Sequence, residues 1–210
     1  MKKFKFYAIK LSGVLVLVFL AQVVFSGFTD LFVLNQVSWQ QPWRFVTAAF
    51  LHGGIAHLIF NLFALLLFGS VLEKFIGGKR FLAVFFVTGV LANIVAVNFY
   101  SSSLGASGAI FGVIGALIFI RPMMAVWAFG MPMPLFVAGL VWIGADLIGA
   151  VGFFVGNPLD NTGNIAHLSG ILFGFIFGYF YRKNIVRRKR INVSIDEGDV
   201  RSWERSWMKS

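Results

Sequence analysis

The segment Gly105-Ala106-Ser107-Gly108-Ala109-Ile110-Phe111-Gly112 places a serine at the start of an apolar stretch that runs to Ile120. Serine and glycine at the start of a membrane helix most often serve as caps and close-packing residues. Two other apolar stretches also begin with polar residues: His57-Leu58-Ile59-Phe60-Asn61 and Ala166-His167-Leu168-Ser169-Gly170. If the three helix starts lie at one membrane depth, a serine, two histidines and an asparagine converge, and such a group fits acyl transfer.

The composition is that of a polytopic membrane protein. Of 210 residues, 59% are hydrophobic and 12% are charged, and the mean hydropathy is +0.84. These values exclude an ordinary water-soluble domain. The chain has no cysteine, which excludes disulfides, thiolate metal sites and cysteine nucleophiles. The net charge of +10 is concentrated beside the apolar runs, which favours contact with anionic lipid over nucleic acid.

Hydropathy predicts six membrane spans, at about 11–28, 57–72, 81–100, 107–121, 135–155 and 164–181. We interpret the first as a retained span rather than a cleaved signal peptide, because its apolar run is long for a signal sequence. The aromatic-rich segment 30–54 is expected to be an interfacial loop with short helices. Residues 123–133 are expected to form a connector lying against the membrane surface.

The distribution of Lys and Arg predicts the orientation. The N-terminus, the turn after span two, the end of span four and the C-terminal tail hold 17 of the 18 basic residues. This positive-inside signal places both termini in the cytoplasm. The predicted fold is therefore an all-α, six-helix membrane bundle over residues 1–184, followed by a basic and polar cytoplasmic tail over 185–210. For the segment with Trp203 and Trp207, two interpretations stay open: a short interfacial helix and a disordered tail.

This topology brings the three polar helix starts to one depth. The even-numbered spans run from the outside inward, so His57, Ser107 and His167 each begin a span near the external face. Ser107 precedes Arg121 by about 14 residues, or roughly 21 Å of helix, against a hydrocarbon core of about 30 Å. Ser107 is therefore expected several ångströms below the outer surface.

Glycines at three- or four-residue spacing predict a close approach of spans four and six. Such stripes are most often plain packing features, and they permit backbones to approach closely enough for a Ser107–His167 contact. The glycines are Gly108, Gly112 and Gly115 in span four, and Gly170, Gly174 and Gly178 in span six.

These residue types fit nucleophilic catalysis. A serine hydroxyl needs a base, and the neutral imidazole of His167 suits that task. A carboxylate would normally orient the base, yet the acidic residues are poorly placed: Glu73 in the cytoplasmic turn, Asp30 and Asp160 in external loops, and Asp146 in span five. We therefore predict a Ser-His dyad without an acid, with its side chains within about 2.6–3.5 Å of each other. Phe111, one turn after Ser107, is expected to stack on the imidazole.

The remaining polar groups suit an oxyanion hole. His57 and Asn61 share one face of span two, and their N–H groups can act beside the backbone N–H of Ser107. A lone polar residue at either position would more often hold two helices together through a hydrogen bond. A metal site is disfavoured because His52, His57 and His167 have no carboxylate at ligand spacing. The Gly105-to-Ala109 segment also lacks the second glycine and the preceding strand of a nucleophile elbow.

Taken together, these motifs resemble the rhomboid family of intramembrane serine proteases. The resemblance implies that Ser107 is the nucleophile, that His167 is general base and acid, and that His57, Asn61 and the Ser107 amide stabilise the oxyanion. The motif glycines Gly105, Gly108, Gly170 and Gly174 are expected to support the dyad and pack the helices. Many family members have tyrosine at the position of Phe111. Other similar positions are Trp43-Arg44 in the first loop, Glu73, Gly77 and Arg80 after the second helix, and Trp142 in the helix implied to gate substrate access.

The resemblance implies a function and two alternatives remain. The implied substrates are single-span membrane proteins cut near their external end, with the site toward the outside of the cell membrane and without cofactor or metal. A catalytically silent rhomboid-like protein that escorts membrane proteins is the first alternative, although such relatives usually lack the serine or the histidine. A transporter is the second, but its polar residues would continue toward the cytoplasm.

Overall fold

The computed structural model describes residues 5–157, 163–188 and 197–207. In chain order the helices are α1 (Tyr7–Val24), α2 (Phe28–Phe32), α3 (Arg44–Thr47), α4 (Ile55–Ala64), α5 (Ser70–Ile76), α6 (Gly78–Ala96), α7 (Ser107–Ile120), α8 (Leu135–Phe154), α9 (Asn164–Arg188) and α10 (Glu197–Trp207). The short strands are β1 (Leu34–Asn35), β2 (Ser102–Ser103), β3 (Ala125–Ala128) and β4 (Met131–Pro134). The expected turn at Asp160 and much of the basic tail, residues 189–196, lie outside the described ranges.

Five helical segments have the length and composition of membrane spans: Tyr7–Val24, Ile55–Ile76, Gly78–Ala96, Leu135–Phe154 and Asn164–Arg182. The second joins α4 to α5 through a π-helical turn at Leu65–Gly69. The remaining predicted span, the fourth in chain order, corresponds to α7, an apolar helix of 14 residues. Helix α7 is short because it is central: ten of its residues are buried against the other helices, so protein rather than lipid surrounds it.

The span limits differ from prediction by a few residues at both starts and ends. Helix α1 begins four residues before the predicted start at Leu11, and α6 begins at Gly78 rather than at Phe81. Helix α9 continues past Tyr181 to Arg188. Charged residues at these ends do not interrupt a helix, since long basic side chains reach away from the apolar region while the backbone stays helical.

The segment 123–133 connects α7 to α8, as expected, but it does so as a β-hairpin that was not predicted. Strands β3 and β4 form an antiparallel hairpin in which Ala128 pairs with Met131. Its two-residue turn has positive φ angles at Phe129 (54°) and Gly130 (79°), the geometry of a tight hairpin turn. The prolines at 132 and 134 hid the strand, because they argue against a central strand but are tolerated in a two-stranded ribbon.

Two buried charged side chains fasten the ends of the bundle. Glu73 accepts hydrogen bonds from the backbone N–H groups of Lys5 and Ala8, both at 3.2 Å, and so caps the start of α1. Arg44 donates to the carbonyl groups of Asp30 and Val33, both at 2.8 Å. Both positions were singled out in the sequence, and each charge is satisfied by uncharged groups, including the Gln41 side chain at Arg44, rather than by an opposite charge.

Helices α7 and α9 meet through their backbones. A Cβ atom at Gly170 would collide with the carbonyl oxygen of Gly108, and one at Gly174 with that of Gly112. A Cβ atom at Gly115 would in turn meet the backbone of Ile171. The predicted close packing of these two glycine stripes is confirmed, and it places the first turns of α7 and α9 side by side.

Candidate active site

One cavity of about 1070 Å³ collects the polar residues singled out in the sequence. Its walls come from the starts of α4, α7 and α9, from α8 and from the loop 101–105. The side chains predicted to act together all line it: Ser107, His167, His57 and Asn61. The convergence of the three helix starts is therefore confirmed.

Ser107 is the first residue of α7 and is half-buried. The first intrahelical bond is made by Ile110, whose N–H group donates to the Ala106 carbonyl at 2.9 Å. The N–H groups of the first helical turn, including that of Ser107, consequently have no partner within the helix. This end of α7 thus offers backbone donors to an anion beside the serine hydroxyl.

Gly105 lets the loop before α7 pass close to His57. Its φ angle of +123° is one that other residues rarely adopt. A Cβ atom here would lie 2.8 Å from His57 Nε2 and 3.8 Å from Ser107 Oγ. Glycine is therefore required for both backbone geometry and space, and the His57 ring and the Ser107 hydroxyl flank it closely.

His167 lies in the first turn of α9 and is held by an aromatic ring of α7. The Phe111 and His167 rings are stacked, with centroids 4.2 Å apart and planes inclined by 7°. The predicted stacking is confirmed, and it needs only the ring face that phenylalanine and tyrosine share. The ring of His167 is buried, with 8% of the residue exposed.

Between the described Ser107 and His167 side chains, no hydrogen bond is formed. The two residues line one cavity, and the predicted distance between their side chains stays a prediction. Catalytic hydrogen bonds are often long or poorly aligned without substrate and tighten in the complex. The site is thus assembled, but the hydrogen bond between Ser107 and His167 is not formed.

The expectation that no carboxylate reaches His167 is wrong. Asp146 Oδ1 lies 3.0 Å from His167 Nδ1, and both side chains are buried. Asp146 was discounted because it lies in the middle of the fifth apolar run, without a motif around it. The approach of α8 to the start of α9 brings it to the ring, and no sequence spacing encodes that approach.

His57 is oriented as a hydrogen-bond donor toward the cavity. Its Nδ1 accepts a hydrogen bond from the Gly53 N–H group at 3.4 Å. A neutral imidazole that accepts at Nδ1 carries its proton on Nε2, and Nε2 lies close to Gly105 in the loop before α7. Asn61, buried one turn later, donates one amide hydrogen to the His57 carbonyl at 2.8 Å and retains the other.

His52, which was weighed above only as a possible metal ligand, lies next to the site. Its ring lies edge-on to that of His57, with centroids 5.1 Å apart, and its backbone is held by Gln22 of α1 in both directions. Burial, followed by the neighbouring His57, lowers the pKa of His52 from 6.5 to about 4. His52 therefore stays neutral, and its ring packs against the ring of His57.

Trp142 of α8 closes another side of the cavity. It packs edge-on against Phe68, with ring centroids 5.8 Å apart, and against Phe129 of the hairpin at 6.0 Å. In the described part of the chain, no group of three or more His, Asp or Glu residues is clustered closely enough to hold a metal ion. The chemistry available here is that of a hydroxyl, imidazoles, an amide and one carboxylate.

Fold and site together define an integral membrane protein whose apolar helices enclose a polar, serine-containing cavity. A family model described as the rhomboid domain matches residues 39–184, which is more than half of the chain. This protein belongs to the rhomboid family.

Several curated relatives are similar to this chain. The rhomboid protease GlpG of Haemophilus influenzae is 30% identical over 183 residues, which cover 82% of this chain and 89% of that protein. The rhomboid protease GluP of Bacillus subtilis is 37% identical over 145 residues, 63% of this chain but only 25% of GluP. The mitochondrial RHOMBOID-like protein 6 of Arabidopsis thaliana is 32% identical over 146 residues, 68% of this chain and 45% of that protein. The chain thus spans most of one relative and less than half of the other two.

Proposed function

We propose that this protein is an intramembrane serine endopeptidase that cuts membrane-protein substrates with Ser107 as nucleophile and His167 as base. The observation that carries the proposal is the single cavity that Ser107, His167, His57 and Asn61 line together. Membership of a family with relatives named as proteases supports it. The polar groups occupy one end of the helices, as a hydrolytic site requires.

In the first step, Ser107 Oγ attacks the carbonyl carbon of the scissile peptide bond. The Oγ–C bond forms while the hydroxyl proton passes to His167 Nε2, because Nδ1 is occupied by Asp146. The carbonyl oxygen becomes an oxyanion. Its donors are His57 Nε2–H, the second amide hydrogen of Asn61 and the Ser107 backbone N–H, and removal of one such donor typically costs about 10²–10³ in rate.

In the second step, the C–N bond breaks and His167 gives its proton to the leaving amine. Water then enters, loses a proton to His167 and attacks the acyl carbon, which releases the second product and restores the Ser107 hydroxyl. The buried face of the imidazole is held by Phe111 throughout. The stacked ring fixes the plane of the imidazole.

The proposed substrates are proteins with a transmembrane segment, cut near its external end. In this proposal the chain has six spans, both termini lie in the cytoplasm and the cavity faces the outside of the cell membrane. The basic residues at the inner loop ends support this orientation. A polar cavity among apolar helices suits a peptide bond released from a helix, because its backbone groups need partners there.

Cleavage of a single-span substrate in proteoliposomes tests the proposal. The parent protein is expected to cut it, whereas Ser107→Ala and His167→Ala are expected to lose at least about 10³-fold in kcat/KM. Ser169→Ala is the matched control, because the Ser169 hydroxyl donates within its own helix to the Ile165 carbonyl at 2.7 Å. It should keep parental activity.

Two outcomes would contradict the proposal. Equal cleavage by the parent and Ser107→Ala would exclude this serine as the nucleophile. Failure of the parent to cut any of a panel of single-span substrates, together with their stable co-purification, would favour the silent escort protein instead.

A further inference from the structure

A buried carboxylate lies against the base of the proposed catalytic pair. Asp146 of α8 is 6% exposed, and its Oδ1 lies 3.0 Å from His167 Nδ1. The other oxygen, Oδ2, is buried and has no hydrogen-bond partner among the described residues. His167 is therefore the one described group that satisfies this carboxylate.

Such a carboxylate is poorly explained as a packing residue. A buried charge with a single partner loses its hydration and recovers only part of that cost from one hydrogen bond. A hydrophobic residue of similar size would pack α8 against α9 at least as well. Glu73 shows how this protein treats a structural carboxylate, since both of its oxygens accept backbone N–H groups.

We propose that Asp146 is a positioning residue that holds His167 in its Nδ1–H tautomer, so that Nε2 is left unprotonated to take the proton of Ser107. The inference rests on the proposed function for its kinetic consequence but not for its geometry. The carboxylate accepts the Nδ1–H bond and does not take the proton itself. The pair would thereby become a Ser-His-Asp arrangement drawn from α7, α9 and α8.

Two supports would then fix the imidazole in different ways. Phe111 of α7 holds the plane of the ring, with the planes only 7° apart. A stacked ring has the same contact with either tautomer and therefore cannot choose between them. Asp146 supplies that choice, because a carboxylate accepts hydrogen bonds and cannot donate one.

The tautomer can be measured directly by ¹⁵N NMR of protein labelled at histidine, in detergent near pH 7. The chain has 3 histidines, so the signals lost in His167→Ala identify that residue. The parent is expected to show a protonated Nδ1 and an unprotonated Nε2. Asp146→Ala and Asp146→Asn are expected to shift the population toward Nε2–H, and Asp30→Asn, which neutralises an exposed aspartate, should leave the spectrum unchanged.

Kinetics provide the second readout. Asp146→Asn, which keeps the side-chain volume, is expected to lower kcat by about 10- to 100-fold and to leave KM within about 2-fold, since the lost interaction acts in proton transfer rather than in binding. The unfolding midpoint of Asp146→Asn in detergent is measured alongside. A structural link would lower that midpoint and leave kcat of the folded fraction unchanged.

The results separate this inference from the proposed function. A parent spectrum with His167 protonated at Nε2, or an unchanged spectrum and kcat in both Asp146 variants, would overturn the positioning role. A parent that cuts no substrate would overturn the protease proposal, and the tautomer spectra would still decide whether Asp146 positions the ring.

Discussion

Helices α7 and α8 both contact α9, but they do so in different ways. At the α7 interface, Gly170 and Gly174 meet backbone atoms of Gly108 and Gly112. At the α8 interface, contacts are made by side chains: Gly149 faces the side-chain amide of Asn164, and Asp146 reaches His167. Nucleophile and base thus lie across a backbone-to-backbone contact, whereas the carboxylate reaches the base from a helix that is held by side chains.

This difference indicates which parts of the site tolerate change. A backbone contact cannot relax by a change of rotamer, so any added atom must move a helix. A side-chain contact can be lost while both helices keep their places. Substitutions at the α7–α9 interface should therefore lower both stability and activity. Substitutions of α8 or α4 side chains that line the cavity should lower activity alone.

The broadest effect, on fold and activity together, is expected from Gly170→Ala. The added methyl group would collide with the Gly108 carbonyl oxygen, and overpacking of this kind costs about 1–3 kcal/mol. Both unfolding stability in an SDS titration and substrate cleavage should fall. Gly144→Ala in α8 is the matched control, since a Cβ atom there meets nothing within 4 Å. Equal losses of stability and cleavage in the two variants would contradict the special role of the α7–α9 backbone contact.

A loss confined to the chemical step is expected from His57→Ala. The change removes a cavity-lining donor whose Nε2 lies close to Gly105, which should lower kcat by about 10²–10³-fold. Its unfolding midpoint should stay near the parental value, because His57 is half-buried at the cavity wall. Parental kcat in a folded His57→Ala protein would remove this residue from the oxyanion site.

Phe111→Leu should have a still smaller effect, about 3- to 10-fold in kcat, because leucine keeps an apolar contact but loses the stacked face. The informative measurement is the double variant with Asp146→Asn. If Phe111 fixes the ring plane and Asp146 the tautomer, the combined loss should differ from the product of the two single losses, as expected for groups that share a partner. A simple product would mean that the two supports act independently.

The last prediction concerns His52 and pH, and its effect is absent near neutral pH. The unfolded chain binds a proton on His52 near pH 6.5, whereas the folded protein, in which burial lowers the pKa of His52 to about 4, does not. Its contribution to stability is thus complete above pH 6.5 and is lost as the pH falls toward 4. His52→Phe should flatten this part of the stability profile, measured by tryptophan fluorescence in detergent. An equally steep decline in the variant would contradict the assignment.

Much of the fold and of the site could be predicted from the sequence, for identifiable reasons. Apolar runs and the Lys and Arg distribution depend on local composition, so the helical segments were found with shifts of a few residues. The serine, both cavity histidines and Asn61 begin helices that the topology aligns. The glycine stripes of α7 and α9 then predicted the contact between those helices.

Other parts could not be predicted, because they depend on tertiary geometry. Asp146 has no motif around it, and its contact with His167 follows from where α8 lies relative to α9. The hairpin with its turn at Phe129 and Gly130 was missed because prolines are typical of loops. A charged residue inside an apolar helix was nevertheless a usable signal, since such residues are functional by default.

The central claim is that a serine of α7 and a histidine of α9 act together across the glycine interface. Fluorophosphonate labelling of the purified protein, with the adduct located by mass spectrometry, tests it most directly. We predict an adduct on Ser107 in the parent and none in His167→Ala. An unlabelled parent, an adduct on a different serine, or equal labelling in His167→Ala would contradict the claim.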